Sequence, residues 1–190
     1  MKAYIITLQS SQNAHRQLEN CLYTAKKYKW DVEPFWAVNG KLLEQTDFKN
    51  ENLFLNPQTK IYRRPGAQGC FLSHWKLWKL CISVNEPLIV LESDANIIAP
   101  LPNIDFSKGL VKLHTDKSTK VSDITGKWSK GAHAYALTPQ HAKQLIDGIR
   151  ATEVKPADKA IGTKFVDWRY LDDPVVDLKK TGKSTTSWMR

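Results

Sequence analysis

The chain has 190 residues, 42% of them apolar, and 28 Lys and Arg against 19 Asp and Glu give a formal charge of +9. That is enough chain for one domain with a sizeable core, and no run approaches the roughly 18 apolar residues of a membrane span, so a single soluble domain of residues 1–190 in the cytosol is expected. The positive balance favours anionic partners: nucleotides, phosphorylated glycans, nucleic acid or the surface of an acidic membrane.

"AYIITL" (Ala3 to Leu8) is rich in β-branched residues and predicts a strand; Ala14, Leu18, Cys21, Leu22 and Ala25 then recur at helical spacing. "VEPFWAVNG" predicts a second strand, irregular at Pro34 and closing on the turn dipeptide Asn39-Gly40. From Lys41 to Tyr62 no period is sustained, which predicts a long excursion with one short helix. A helix is expected from about Cys70, where Phe71, Trp75, Trp78 and Ile82 form an aromatic stripe that reads as core.

"PLIVLESDANII" follows (Pro87 to Ile98), a buried strand that ends in Glu92-Ser93-Asp94. A buried strand gains nothing from two carboxylates, so they need a partner or a task. "GLVKLHT" (Gly109 to Thr115) predicts another strand, and a basic polar loop is expected up to Lys130. "AHAYAL" alternates as a strand, and "TPQHAKQLIDGI" predicts a helix with Thr138 as N-cap and Pro139 in the first turn. Residues from Ala151 are mixed and end in a basic tail, "KKTGKSTTSWMR", so about 151–190 reads either as a short helix, a strand and a charged terminus or as a segment that partly orders only with ligand. Strands alternating with helices imply an α/β fold: a mixed, mainly parallel sheet flanked by helices. Cys21, Cys70 and Cys81 lack the close paired spacing of a zinc site or a redox motif and are expected to be reduced and mostly buried.

Two places carry candidate chemistry. Ligands of open α/β sheets bind past the carboxyl ends of strands, and Glu92 and Asp94 stand there, spaced to share a divalent cation of the Mg²⁺ or Mn²⁺ type. In "RRPGAQGCFLSHWKLW", Arg63 and Arg64 suit phosphate, Gly66 and Gly69 permit close backbone approach, and a helix starting near Cys70 would offer its amides to an anion. Ser73 and His74 would then sit in its first turn, within reach of a ligand or of local backbone.

In order along the chain, "YIITL" with Arg16 downstream, "FWAVNG", "RPGAQGCFLSHWKLW", "PLIVLESDA", "GAHAYALTPQHAKQLI", "KPAD" and "DPVVDL" resemble glycosyltransferase family 25, the lipooligosaccharide-biosynthesis type. The resemblance implies a single-domain, Rossmann-like GT-A fold, a nucleotide-sugar donor of the uridine diphosphate class, and inverting, metal-assisted transfer. It implies metal binding by Asp94 and Glu92, a donor pocket with Asn39, Gly40, Arg63, Arg64, Ser73, His74 and Glu92, and Asp158 of "KPAD" as base, with Asp167, Asp172 and Asp173 as rivals. Tyr135 is core or packs near the sugar. The family's usual Glu-Asp-Asp is Glu92-Ser93-Asp94 here. The implied acceptor is a lipooligosaccharide-type glycan; the positive charge leaves hydroxymethylated phage DNA open as an alternative, and a non-catalytic sugar-nucleotide or nucleic-acid binding module as another.

Overall fold

β1 (Lys2–Thr7) carries alternating side chains to both faces of a sheet, and both faces are covered. In the computed structural model, which describes residues 1–178, the elements that follow are α1 (Gln12–Tyr28), β2 (Val32–Trp36), α2 (Gln45–Asn50), α3 (Pro65–Val84), β3 (Leu88–Glu92), β4 (Ala95–Ile97), β5 (Leu110–Lys112), β6 (Thr119–Ser122), β7 (Gly126–Ser129), β8 (Ala134–Leu137), α4 (Pro139–Arg150), α5 (Ala157–Ala160), β9 (Trp168–Tyr170) and β10 (Val176–Leu178). The basic tail from Lys179 lies outside the described residues.

Six strands form the main sheet in the order β2-β1-β3-β8-β5-β9. β1 runs parallel to β2 and β3, and β5 parallel to β9, whereas β8 is antiparallel to both its neighbours. The mixed, mainly parallel sheet expected from the alternation of strands and helices is therefore present. Period-two alternation splits the core: Leu88, Val90, Tyr135 and Leu137 face α3 and α4, while Ile89, Leu91, Ala134 and Ala136 face α1.

The aromatic part of the α3 stripe is core, as its spacing predicts: Phe71, Trp75 and Trp78 are fully buried, whereas Ile82, expected in the same stripe, lies near the end of the helix and is exposed. Each such side chain contributes on the order of 2–3 kcal/mol by leaving water. The start of the helix differs from expectation. α3 begins at Pro65, whose fixed φ and missing N–H suit a first helical position, so Gly66 and Gly69 lie within the helix, and Ser73 and His74 in its third turn rather than its first.

The excursion from Lys41 holds α2 and two short 3-10 turns, Gly40–Leu42 and Lys60–Arg63. The basic loop before Lys130 is instead the hairpin β6–β7. Thr119 to Val121 are exposed, so no alternation between buried and polar positions marked them as a strand. Within residues 151–178, Val154, Ala157, Ala160, Val175 and Val176 are buried, and β10 pairs antiparallel with β4. The three cysteines are free, Cys21 and Cys81 buried and Cys70 half-buried. Among the described residues no helix is long and apolar enough to cross a membrane.

Candidate active site

Past the carboxyl ends of β1, β2 and β3 lies a cavity of about 590 Å³. The loop after β1 and the start of α1 form one wall, with Ser10, Ser11, Asn13 and Arg16, and Ala37, Val38 and Asn39 after β2 form another. Gly66, Cys70, Ser73 and His74 of α3 close it from the side, and Glu92 and Ser93 stand at its inner end. Size, apolar floor and a few convergent polar groups are those of a small-molecule site.

Several side chains here hold the walls in place. Ser11 caps α1 by accepting from the Ala14 N–H at 3.2 Å, which fixes the loop that carries Ser10. Ser73 accepts from the Val38 N–H at 2.9 Å and donates to the Gly69 carbonyl at 2.7 Å, tying α3 to the chain after β2. A side chain at Gly40 would stand 1.7 Å from the Pro65 carbonyl oxygen, so the turn after Asn39 packs directly on the start of α3. Gly40 is thus a buried backbone contact, and Asn39, beside it, lines the cavity.

Arg63 and Arg64 are exposed and outside the cavity lining; the cations that line it are Arg16 and Lys41. The misplacement follows from the misread helix start. With α3 beginning at Pro65, the two arginines end the preceding 3-10 turn instead of a phosphate-binding loop.

Glu92 is the hub of the inner end. His133 Nδ1 lies 2.9 Å from Glu92 Oε2 and 3.7 Å from Asp94 Oδ1, and His74 Nε2 lies 3.4 Å from Glu92 Oε1. Cys70 Sγ donates towards the same Oε1 at 3.6 Å. Behind His74, Tyr135 accepts the Trp78 indole N–H at 2.8 Å and meets His74 Nδ1 at 2.8 Å. A Tyr135 hydroxyl donating to Nδ1 leaves the His74 proton on Nε2, facing Glu92.

The charges follow. Burial pushes the Glu92 carboxyl up, but His133 and His74 outweigh it and hold it well below the usual range. Burial pulls His133 down, yet the charges of Glu92 and Asp94 raise it to about 10, so the pair is an imidazolium and a carboxylate at neutral pH. A third shell is basic: Lys112, fully buried, is lowered to about 8 by burial, offset in part by Asp158 and Glu92. Burial, with the charges of Lys112 and His133, lowers His114 to about 3. Burial and the neighbouring Glu92, Asp158 and Asp94 carboxylates hold the Cys70 thiol well above its ordinary value.

Asp94 and Glu92 therefore come together as their spacing implied, and the structure adds His133, which sequence reading passed over. It lies in the neutral-looking "GAHAYAL", and only the antiparallel pairing of β8 with β3 sets it opposite Glu92, whose N–H donates to the His133 carbonyl at 2.8 Å. Gly131, at φ +76°, makes room, since a side chain there would stand 2.0 Å from His133 Nε2. Ser93 donates to Gln17 Oε1 at 3.0 Å, so the position between the acids anchors α1. Asp158 is half-buried on α5, near enough for its charge to act on Cys70 and Lys112; Asp167, Asp172 and Asp173 are exposed. Tyr135 is fully buried, a core residue that supports His74.

Glu92, Asp94 and His133 present one donor atom each within 4.8 Å of one another. The two carboxylates could hold Mn²⁺ or Mg²⁺, the imidazole favours a transition metal over Mg²⁺, and Asp94 Oδ1 is buried with no hydrogen-bond partner, as a ligand atom would be.

The family model described as glycosyltransferase family 25 (LPS biosynthesis protein) matches residues 1–104. An Aedes aegypti glycosyltransferase 25 family member is 26% identical over 160 residues, 71% of this chain and 26% of that protein. A Haemophilus influenzae relative is 27% identical over 190 residues, 90% of this chain and 64% of its own length. Procollagen galactosyltransferase 1-B of Xenopus laevis is 31% identical over 99 residues, 49% of this chain and 16% of that protein. The chain thus spans about a quarter of the length of the insect relative. In fold it matches the crystal structure of a glycosyltransferase involved in the glycosylation of the major capsid of PBCV-1, with a TM-score of 0.51 at 10% identity, covering 95% of this chain and 94% of the other.

Proposed function

The chain belongs to glycosyltransferase family 25, and from that premise we propose that it transfers a sugar from a nucleotide-sugar donor, of the uridine diphosphate class, to a hydroxyl of an envelope-type saccharide, with inversion. The observation that carries this reading is the group of Glu92, Asp94 and His133 at the inner end of a cavity beyond the strand ends.

In this reading Ile6, Leu8, Ala37 and Val38 take the nucleoside, Asn39, Ser10 and Asn13 orient it, and Arg16 and Lys41 meet the diphosphate. Asp94 and Glu92, with His133, would hold Mn²⁺ or Mg²⁺. Such a cation supplies positive charge to the departing diphosphate. Without a cation Glu92 and His133 form an ion pair; holding the cation through Nδ1 would require His133 to give up its proton, so at this end of the cavity metal and proton compete. Asp158 is the base for the acceptor hydroxyl: it is half-buried, and its charge acts on Lys112, whereas its rivals are solvated surface acids.

The test is release of diphosphate from a panel of uridine diphosphate sugars with Mn²⁺, with mass spectrometry of saccharides and of hydroxymethylated duplex DNA offered as acceptors. We expect turnover with a saccharide, reduced on the order of 100-fold or more in Asp94→Asn. Transfer to the DNA alone would move the acceptor to nucleic acid. No turnover with any donor, with donor binding unchanged in Asp94→Asn, would replace the transferase with a binding module.

A further inference from the structure

Glu92 has two carboxylate oxygens, and they face different neighbours. Oε2 meets His133, while Oε1 faces His74 Nε2 at 3.4 Å and Cys70 Sγ at 3.6 Å. The second group mixes a thiol, an imidazole and a carboxylate, all with donor atoms within 4.8 Å of one another. Hard cations have no use for the sulfur; zinc does.

We propose that Cys70, His74 and Glu92 Oε1 form a zinc site whose fourth position opens on the cavity. The distances carry it. With Zn–S of about 2.3 Å and Zn–N and Zn–O of about 2.0–2.2 Å, a tetrahedron has S···O edges of roughly 3.6 Å and N···O edges of roughly 3.4 Å. Those match the two separations found, so little movement is needed to seat the ion. Cys70 and His74 are four residues apart on α3 and share one face of it, which fixes two of the three ligands on a rigid element.

The support behind the ligands is also of the right kind. His74 is fully buried, and its far nitrogen is held by Tyr135, itself held by Trp78, an arrangement that fixes the ring of a metal-ligating histidine. Cys70, Ser73, His74 and Glu92 line the cavity, so an ion has a way in and a solvent molecule can complete the coordination. On binding, the Cys70 thiol gives its proton to solvent and His74 changes tautomer: Nε2 is freed for the ion, Nδ1–H donates to the Tyr135 oxygen, and the Tyr135 O–H turns away from the ring. A count of cysteine spacings alone does not reveal the group, because it holds one cysteine.

The site does not depend on the transferase reading, and the test uses metal alone. The full chain, stripped with chelator, is titrated with Co²⁺, which takes the place of zinc and is visible. We expect one equivalent to bind with a thiolate-to-cobalt charge-transfer band that added Zn²⁺ bleaches, apart from any Co²⁺ that Glu92, Asp94 and His133 take without such a band. The band is lost in Cys70→Ser and kept in Cys21→Ser and Cys81→Ser, whose thiols are buried elsewhere. Zinc affinity falls by about tenfold or more in Cys70→Ser. Co²⁺ binding without the band, or a band that survives Cys70→Ser, overturns the site. A second measurement needs no variant: in the wild-type chain Zn²⁺ should protect Cys70 from alkylation and Mg²⁺ should not, and equal labelling at saturating Zn²⁺ overturns it.

Discussion

His133 is the residue on which the electrostatics of the site turn. Its folded pKa of about 10 exceeds its ordinary 6.5, so its pairing with Glu92 and Asp94 stabilises the fold fully below pH 6.5, and that contribution is lost as pH rises towards 10. Other shifted groups are silent over the first part of this range. His114 and Glu92, both lowered, change stability only below about pH 6.5, and Lys112, lowered to about 8, adds stability only above that value. Between about pH 6.5 and 8 the thermal midpoint of the metal-free chain should therefore fall, and the slope should vanish in His133→Gln. An unchanged slope in that variant would place the titration elsewhere. Glu92 and Asp94 were legible as chemistry because carboxylates at the end of an apolar strand contradict their surroundings. His133 gave no such contradiction, being one polar residue in an alternating strand. Lys112, a charge between Val111 and Leu113, did offer one, and a buried lysine was the available signal for a charged cluster behind the acids.

At the level of elements, α3 and α4 show when a local signal suffices. Thr138 was readable as a cap, and its hydroxyl accepts from the His141 N–H at 3.3 Å as the first residues of α4 require. Thr138→Ala should cost about 1 kcal/mol, read from urea denaturation. α3 carried an equally local signal in Pro65, but the glycines that follow it looked like a loop. Gly69 is tolerated in the helix because the chain after β2 packs against its backbone, at Val38 and Gly40, a contact that no window of sequence contains. Gly40→Ala tests that junction. Its new methyl meets backbone and not a side chain that can turn away, so the loss should be larger than for the cap, about 1–3 kcal/mol or more. A cost below that of Thr138→Ala would mean that the turn after Asn39 can shift. The hairpin β6–β7 marks the opposite limit: its exposed first strand is held by pairing alone, and polarity along it says nothing about secondary structure.

Over the whole molecule, the cavity walls come from residues 6 to 93, but the groups that set its charge, Lys112, His133 and Asp158, come from later in the chain. The order of motifs conveyed the fold and the acids; the assembly of the site rests on strand order, which brings β8 beside β3. The stretch matched by the family model, residues 1–104, contains β1 to β4 and α1 to α3 without β8, α4 or α5. Expressed alone, this piece would leave one edge of β3 unpaired and bare the faces of Trp78, Leu88 and Val90 that Tyr135, Leu137 and α4 cover. It should show no cooperative thermal transition by circular dichroism, where the full chain does. A sharp transition in the fragment would make β8 an accessory to an independent half.

The position of β3, with β1 on one side and β8 on the other, also bears on how the protein is made. A ribosome releases Leu88 to Leu91 more than forty residues before Ala134 to Leu137, the segment that completes their hydrogen bonding. During that interval the most apolar strand of the nascent protein has an open edge and Glu92 lacks its imidazolium partner, an aggregation-prone species of the kind that chaperones retain. Slowed translation between codons 92 and 134 should therefore lower the soluble yield more than an equal pause placed after codon 137.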